Sequence, residues 1–306
     1  MTKNNTYQAL SPVRSAGTDK SSASRPPREG ESLATPESCA PATPLSHGRR
    51  WAWVFCSLLT LLSCGQVNED DRLIEIQGAT VQRAVLVEDY TGQMCVNCPR
   101  ATEEIHHLQA EFGSENVIAV GIFSGPFGVN PRTGANLPLT TDTGKEYFTH
   151  WGLAEQPVGI VNRHGASSYF DWAAIIHKEL QRPTPVSIDI DAFRHEGDSL
   201  EMQVRVRCSE ALSAHLQLWL TEDSIVGTQY FPNNVIDREY VHNHVFRTAV
   251  NGAWGTPLSL QAGQTYSHRF TRLAEDAWRP GHLALVAFVY TADDVLQVTR
   301  KPLKTE

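Results

Sequence analysis

The chain has 306 residues, 41% of them hydrophobic and 20% charged, with a formal net charge of −8 and six cysteines. That length accommodates two ordinary domains with sequence to spare, and the composition excludes a mini-protein, a coiled coil and a collagen-like repeat. The acidic balance excludes a non-specific nucleic-acid binder, because displacing phosphate counterions takes clustered Lys and Arg.

Residues 1–50 hold six of the 17 prolines and eight serines without apolar periodicity. They cannot bury enough surface to offset the entropy of ordering, so a disordered leader is expected. Arg49 and Arg50 then precede thirteen uncharged residues, Trp51–Ser63, and Cys64-Gly65 leads into a polar run. The apolar run is too short to span a bilayer and has the layout of a secretory signal. Leu61-Leu62-Ser63-Cys64 resembles a bacterial lipobox, whose cysteine takes diacylglycerol and becomes the mature N-terminus. Leu62 departs from it where a small or β-branched residue is usual. An ordinary signal peptide or a single membrane anchor is the plainer alternative.

Residues 51–64 thus read as signal and lipobox, and 65–79 as a linker. Cleavage before Cys64 leaves 243 residues with 19 Lys and Arg against 30 Asp and Glu, a net charge of −11. Cys39 and Cys56 depart with the leader, Cys64 carries lipid, and only Cys95, Cys98 and Cys208 remain as thiols. They lie in a compartment where disulfides persist.

Residues 84–90 read as a strand, and a turn at 91–94 leads into Cys95-Val96-Asn97-Cys98-Pro99. Ala101, Ile105, Leu108 and Phe112 recur at helical spacing, with Gly113 at the C-cap position. Pro99 is tolerated only in a first turn, so the helix is expected to begin between Cys95 and Cys98. Free N–H groups and the helix dipole then favour a thiolate at Cys95, the expected nucleophile, with Cys98 as the resolving thiol.

Asn116–Phe123 supplies a buried strand, Ser124–Gly144 a long surface excursion and Lys145–Leu153 a short helix. Pro157 opens a strand, and Asp171–Leu180 closes the unit as an amphipathic helix. Over residues 80–182 the order is thioredoxin-like, and in such folds a cis-proline faces the redox pair from the position Pro157 holds. Glu88 and Asp89 end the first strand. One of them, with Glu88 as the candidate, is expected beneath the cysteines as a proton-transfer group, the alternative being that both end at the surface.

A lone C-x-x-C has other readings: two unreactive core thiols, a structural disulfide, or half a zinc site completed by His106 and His107. No metal or cofactor is expected. After the linker-like Arg182-Pro183-Thr184-Pro185, residues 186–306 change to short strands at 186–191, 200–207, 215–221, 240–247, 265–271, 282–291 and 295–300. These suggest an immunoglobulin- or fibronectin-like antiparallel sandwich. Cys208 reads as a buried thiol at a strand end. His242 and His244 are expected on one face of a strand, and Trp219, Tyr230, Phe231, Tyr240 and Trp254 as core or as a ligand groove.

The whole resembles the 28-kilodalton outer-membrane protein family of Bacteroidetes, lipoproteins with a thioredoxin-like domain and a following β domain. In the first half the resemblance rests on Val87-Glu88-Asp89-Tyr90-Thr91-Gly92, Cys95-x-x-Cys98-Pro99 and Pro157-Val158-Gly159-Ile160-Val161-Asn162-Arg163. In the second it rests on Tyr240-Val241-His242-Asn243-His244-Val245, Asn251-Gly252-Ala253-Trp254-Gly255 and Ala287-Phe288-Val289-Tyr290. It implies an outer-membrane lipoprotein held by lipid on Cys64, facing the periplasm or the exterior, with envelope or surface proteins as partners. Two functions follow as expectations: thiol–disulfide exchange through Cys95 and Cys98, or surface adhesion or ligand binding in which that pair is a structural disulfide.

Overall fold

A computed structural model describes residues 81–128, 139–197 and 199–303. The expected leader, the signal, the lipobox with Cys64 and the linker lie outside the described residues.

The first half runs β1 (Val85–Thr91), α1 (Cys98–Phe112), β2 (Val117–Phe123), α2 (Asp142–His150), β3 (Val158–Val161), β4 (Ala166–Ser167) and α3 (Trp172–Leu180). The second half continues β5 (Val186–Glu196), β6 (Ser199–Cys208), β7 (Leu212–Glu222), β8 (Ile225–Phe231), β9 (Val235–His242), β10 (Val245–Ala249), β11 (Thr256–Leu260), β12 (Thr265–Leu273), β13 (Leu283–Tyr290) and β14 (Val295–Pro302).

β1 and β2 pair in parallel, and every residue of both is buried. Parallel strands covered on both faces need such continuous apolar runs. α1 and α3 cover one face through Ala101, Ile105, Leu108, Trp172 and Ile176, packed on Val85, Val87 and Val117. Gly159 in β3 is required there, since a Cβ would collide with the Trp172 indole. β3 runs antiparallel to β1 and β4 to β3.

The expected thioredoxin-like α/β domain followed by a separate immunoglobulin- or fibronectin-like sandwich is corrected by the sheet order β14-β13-β7-β10-β2-β1-β3-β4, with β11 also paired to β7. One nine-stranded mixed sheet draws strands from both halves. The join is β10, which lies parallel to β2 at Val245↔Gly121, with the Gly121 N–H donating to the His244 carbonyl at 2.8 Å. Its physical reason is the edge of β2. Left bare, that edge would present unpaired N–H and C=O groups, and β10 pairs with it at Gly121.

Two further sheets complete the second half, β12-β6-β5 and the hairpin β8-β9. Leu200, Met202, Val204 and Val206, fully buried on one face of β6, pack against Leu216, Leu218, Leu220, Leu285 and Ala287 of the large sheet. The opposite face of β7, β10 and β13 contributes Trp219, Phe246, Val286 and Phe288 to a core shared with Tyr90, Ile118, Val120, Ile122, Tyr147 and Ile160 of the first half. Cys208 is buried at the end of β6 as a free thiol.

A second expectation is corrected at 240–247. The segment is not one strand: β9 ends at His242, and His244 takes a left-handed conformation (φ 57°) before β10. Asn243 Oδ1 accepts the Ser224 N–H, and Asp223 Oδ1 accepts the His244 N–H, which fixes the bend. His242 and His244 therefore do not share a strand face.

Candidate functional site

Thr91 leaves the sheet into a turn whose close packing dictates its residues. A Cβ on Gly92 would collide with the Phe127 carbonyl, and the next residue but one, Met94, donates its N–H to that carbonyl at 3.1 Å. The Cys95 N–H then donates to the Gly92 carbonyl, and the Cys98 N–H to the Cys95 carbonyl. α1 starts at Cys98, with Asn97 as N-cap and Pro99 in the first turn. Cys95 thus sits in the turn ahead of the helix. Cys95 and Cys98 are joined by a disulfide and are 3% and 1% exposed, whereas Val96 and Asn97 between them face solvent.

What buries the pair comes from the second half. Gln229 Nε2, on β8, donates to the Cys95 carbonyl at 2.9 Å; the Tyr230 N–H donates to the Gln93 carbonyl at 2.9 Å; and Gln93 Nε2 donates to the Thr228 carbonyl at 3.0 Å. The β8–β9 hairpin is therefore clamped over the cysteine turn.

The Gln156–Pro157 peptide is cis, and Pro157 is half-buried at the entrance to β3, one residue before the Val158↔Tyr90 pairing with β1. Gln156 fixes this corner: its Nε2 donates to the Thr91 and Ser124 carbonyls at 2.6 and 3.0 Å, and its Oε1 accepts from the Phe127 N–H at 3.3 Å. Pro157 and the cysteine turn are consequently tied to the same short loop.

Glu88 is not with the cysteines. Successive strand residues point to opposite faces, and Glu88 lies on the face shared with β7 and β13. There its Oε1 accepts from Arg163 Nε at 3.0 Å and its Oε2 from the Tyr90 hydroxyl at 2.9 Å. The Arg163 guanidinium lies 4.0 Å from the Tyr290 ring centroid and 5.0 Å from that of Phe288. Burial works against the charge on Arg163, but Glu88 and Tyr290 outweigh it and hold its pKa above the ordinary value. Glu88 is a structural counter-ion in the shared core.

Asp89 takes the place beneath the pair. It lines a small cavity with Cys98 and His242. It is 3% exposed, its Oδ1 has no hydrogen-bond partner, and burial pushes its pKa up to about 7. His242 is buried against the edge of the Phe123 ring, and burial pushes its pKa down to about 4.

His106 and His107 are exposed on α1 and complete no zinc site with the cysteines. His164, Glu179 and Asp294 do bring ligand atoms within 4.8 Å of one another, but Arg83 and Arg182 already ion-pair with both carboxylates. Trp219 is core, in T-shaped contact with Phe246 and Phe288, while Trp254 packs on Tyr147 and His150, so the aromatic residues form no single groove. Gln229 carries no local signature of its role, while Tyr230 and His242 stand out in the sequence only as an aromatic residue of core or groove and as half of a histidine pair. Asp89 had one, as the other half of the Glu88-Asp89 pair.

A family model described as outer membrane protein Omp28 matches residues 144–306, which begin in α2 and leave Cys95 and Cys98 outside the match. Among solved structures, HBP35 of Porphyromonas gingivalis is similar at a TM-score of 0.57 and 14% identity, over 73% of this chain and 76% of that one. That likeness shows a shared fold. A domain of the outer membrane lipoprotein Omp28 from Porphyromonas gingivalis is 21% identical over 40% of this chain and 89% of its own length, with a TM-score of 0.29. No curated protein matches the chain.

Proposed function

Because the chain belongs to the Omp28 family and is an outer membrane protein, we propose that it is anchored there by lipid on Cys64 and carries out thiol–disulfide exchange on envelope proteins. Among the described residues no helix is long and apolar enough to cross a membrane. A lipid chain on Cys64 supplies the attachment in this reading, and Cys64→Ala is expected to move the protein from the membrane pellet to the soluble fraction.

The observation that carries the exchange reading is Asp89. A buried carboxyl with an unpaired oxygen costs stability and does nothing for a disulfide that merely staples a turn. Beside Cys98, with a pKa near 7, it suits the transfer of a proton to and from the inner thiol.

In the reduced protein, the Cys95 thiolate attacks one sulfur of a substrate disulfide. A mixed disulfide forms, and the first substrate thiolate leaves and takes a proton. Asp89 then accepts the Cys98 proton, the Cys98 thiolate donates its electron pair to Sγ of Cys95, and the second substrate thiolate departs. The substrate disulfide gains two electrons, and the Cys95–Cys98 dithiol becomes a disulfide. Pro157 shapes the rim on which the substrate chain lies. Cys98→Ser incubated with envelope extract should accumulate mixed disulfides on Cys95; adducts no more abundant than in Cys95→Ser would refute the exchange reading.

The burial of both sulfurs under the β8–β9 hairpin favours a second reading, a surface-exposed adhesion or ligand-binding lipoprotein with a structural disulfide. The reduction potential of the pair separates the two, since structural disulfides lie below about −300 mV.

A further inference from the structure

β9 brings a second titratable side chain to the cavity under Cys98. That cavity, about 30 Å³ in volume, is lined by β1, α1, β2 and the β8–β9 hairpin. Two unpartnered buried atoms belong to residues that line it, Asp89 Oδ1 and His242 Nε2, and both residues are at or below 4% exposure. Buried polar atoms in native proteins are paired with protein or with ordered water. A water molecule needs roughly 10–15 Å³ of such space and two to four polar partners. Asp89 and His242 supply two such partners, and Thr102 and Tyr240 line the same cavity.

We propose that one water bridges Asp89 Oδ1 and His242 Nε2, making His242 a positioning residue that sets the proton affinity of Asp89. This use of the bridge rests on the exchange reading, in which Asp89 receives the Cys98 proton. Nε2 has no hydrogen-bond partner of its own, and in this arrangement the neutral ring carries its proton on Nδ1, so that Nε2 accepts. The water donates to Nε2 in both states of the acid. It donates its other hydrogen to the Asp89 carboxylate, or accepts from the Asp89 hydroxyl once the acid is protonated. Burial raises the pKa of Asp89, and solvation of the carboxylate by this water opposes that rise, which keeps the acid in a range where it can exchange protons with a thiol.

The other groups facing the cavity leave this coupling intact. Gly121 and Phe123 of β2 and Gln229 of β8 are uncharged, and Cys98 does not titrate in the disulfide form. Tyr240, on β9, has a pKa raised by burial, with Glu103, Asp89 and Asp237 as its nearby charges; Asp237 also acts on His242. These charges are common to the natural chain and to both His242 variants below.

The test is carboxyl carbon NMR on the disulfide form of the full chain, with the Asp89 signal assigned by Asp89→Asn. His242→Phe fills the cavity and removes the acceptor, and is expected to raise the Asp89 midpoint by about one unit or more, whereas His242→Gln, which keeps an acceptor, restores it to within about half a unit. An unchanged midpoint in His242→Phe overturns the bridge. If His242→Phe fails to fold, nitrogen NMR of the natural chain decides: Nε2 should shift with the Asp89 midpoint while the ring stays neutral, and a flat response overturns the proposal. No substrate or thiol chemistry enters either measurement. A failed mixed-disulfide trap would therefore refute the exchange reading and leave the bridge standing, and a flat titration would do the reverse.

Discussion

Asp89 concentrates the chemical tension of the molecule in one side chain. Its pKa rises from 3.8 to about 7 on folding, so the folded chain binds this proton more tightly than the unfolded chain does. The resulting contribution to stability is full below about pH 4 and is lost as pH rises through about 7, and three units correspond to about 4 kcal/mol. Asp89→Asn should therefore gain stability relative to the natural chain by about 3 kcal/mol between pH 5 and pH 8, since about two of those units lie in that window, read by urea denaturation at both values; identical pH dependences would contradict it. Asp223 behaves in the opposite sense. Burial works against its charge, but His244 and Arg300 outweigh it and bring the pKa down to about 2, so its contribution is present above about pH 4 and is lost as pH falls through about 2. The losses on raising and lowering pH thus trace to different side chains, Asp89 at the cysteine turn and Asp223 at the bend before β10.

At the level of elements, the β8–β9 hairpin decides whether a reagent meets the cysteines. Its hold on the turn is polar rather than apolar: the side chains of Gln229 and Gln93 and the backbone N–H of Tyr230 make the bonds described above. Outward, Val226, Val235, Ile236 and Val241 are exposed. An element attached by a few hydrogen bonds with little buried apolar surface opens more easily than the sheet beneath it. Gln229→Ala removes the bond to Cys95 and costs the closed form about 1–2 kcal/mol, so reduction by dithiothreitol should accelerate about five- to thirtyfold. A rate equal to that of the natural chain would mean that the hairpin is not the barrier.

Across the whole molecule, the nine-stranded sheet makes the two halves one cooperative body. β10 pairs with β2 at Gly121, and the core around Trp219 and Phe288 closes over Tyr90 and Ile122. A charged cluster adds to this. Arg83 and Asp294, far apart in sequence, ion-pair with each other, and Arg83 and Arg182 also hold Glu179 of α3. Residues 80–182 alone would expose both the β2 edge and half of an apolar core. That fragment should lack the slow hydrogen exchange of β1 and β2 amides shown by the intact chain; equal protection would show that the first half is self-sufficient.

How much of this was readable beforehand follows from range. Val85–Thr91, the helix after Pro99, the alternation from Leu200 to Val206 and the family resemblance are written in a few consecutive residues each, because strand and helix periods act locally. Glu88 and Asp89 show where local reading ends. Adjacent strand residues must face opposite ways, but which face receives the cysteines and which receives Arg163 depends on what packs there. Gln229 is 134 residues from Cys95, and no local pattern announces that a hairpin will cover the turn or that β10 will cap β2. By itself the sequence determined the strands and helices of strong local period, though not β8 or β11, the C-x-x-C between strand and helix, and the outer-membrane family. The tertiary structure alone decided that one sheet joins the halves, that Asp89 rather than Glu88 lies under Cys98, and that His242 lies beside it, because each is set by long-range burial and edge pairing.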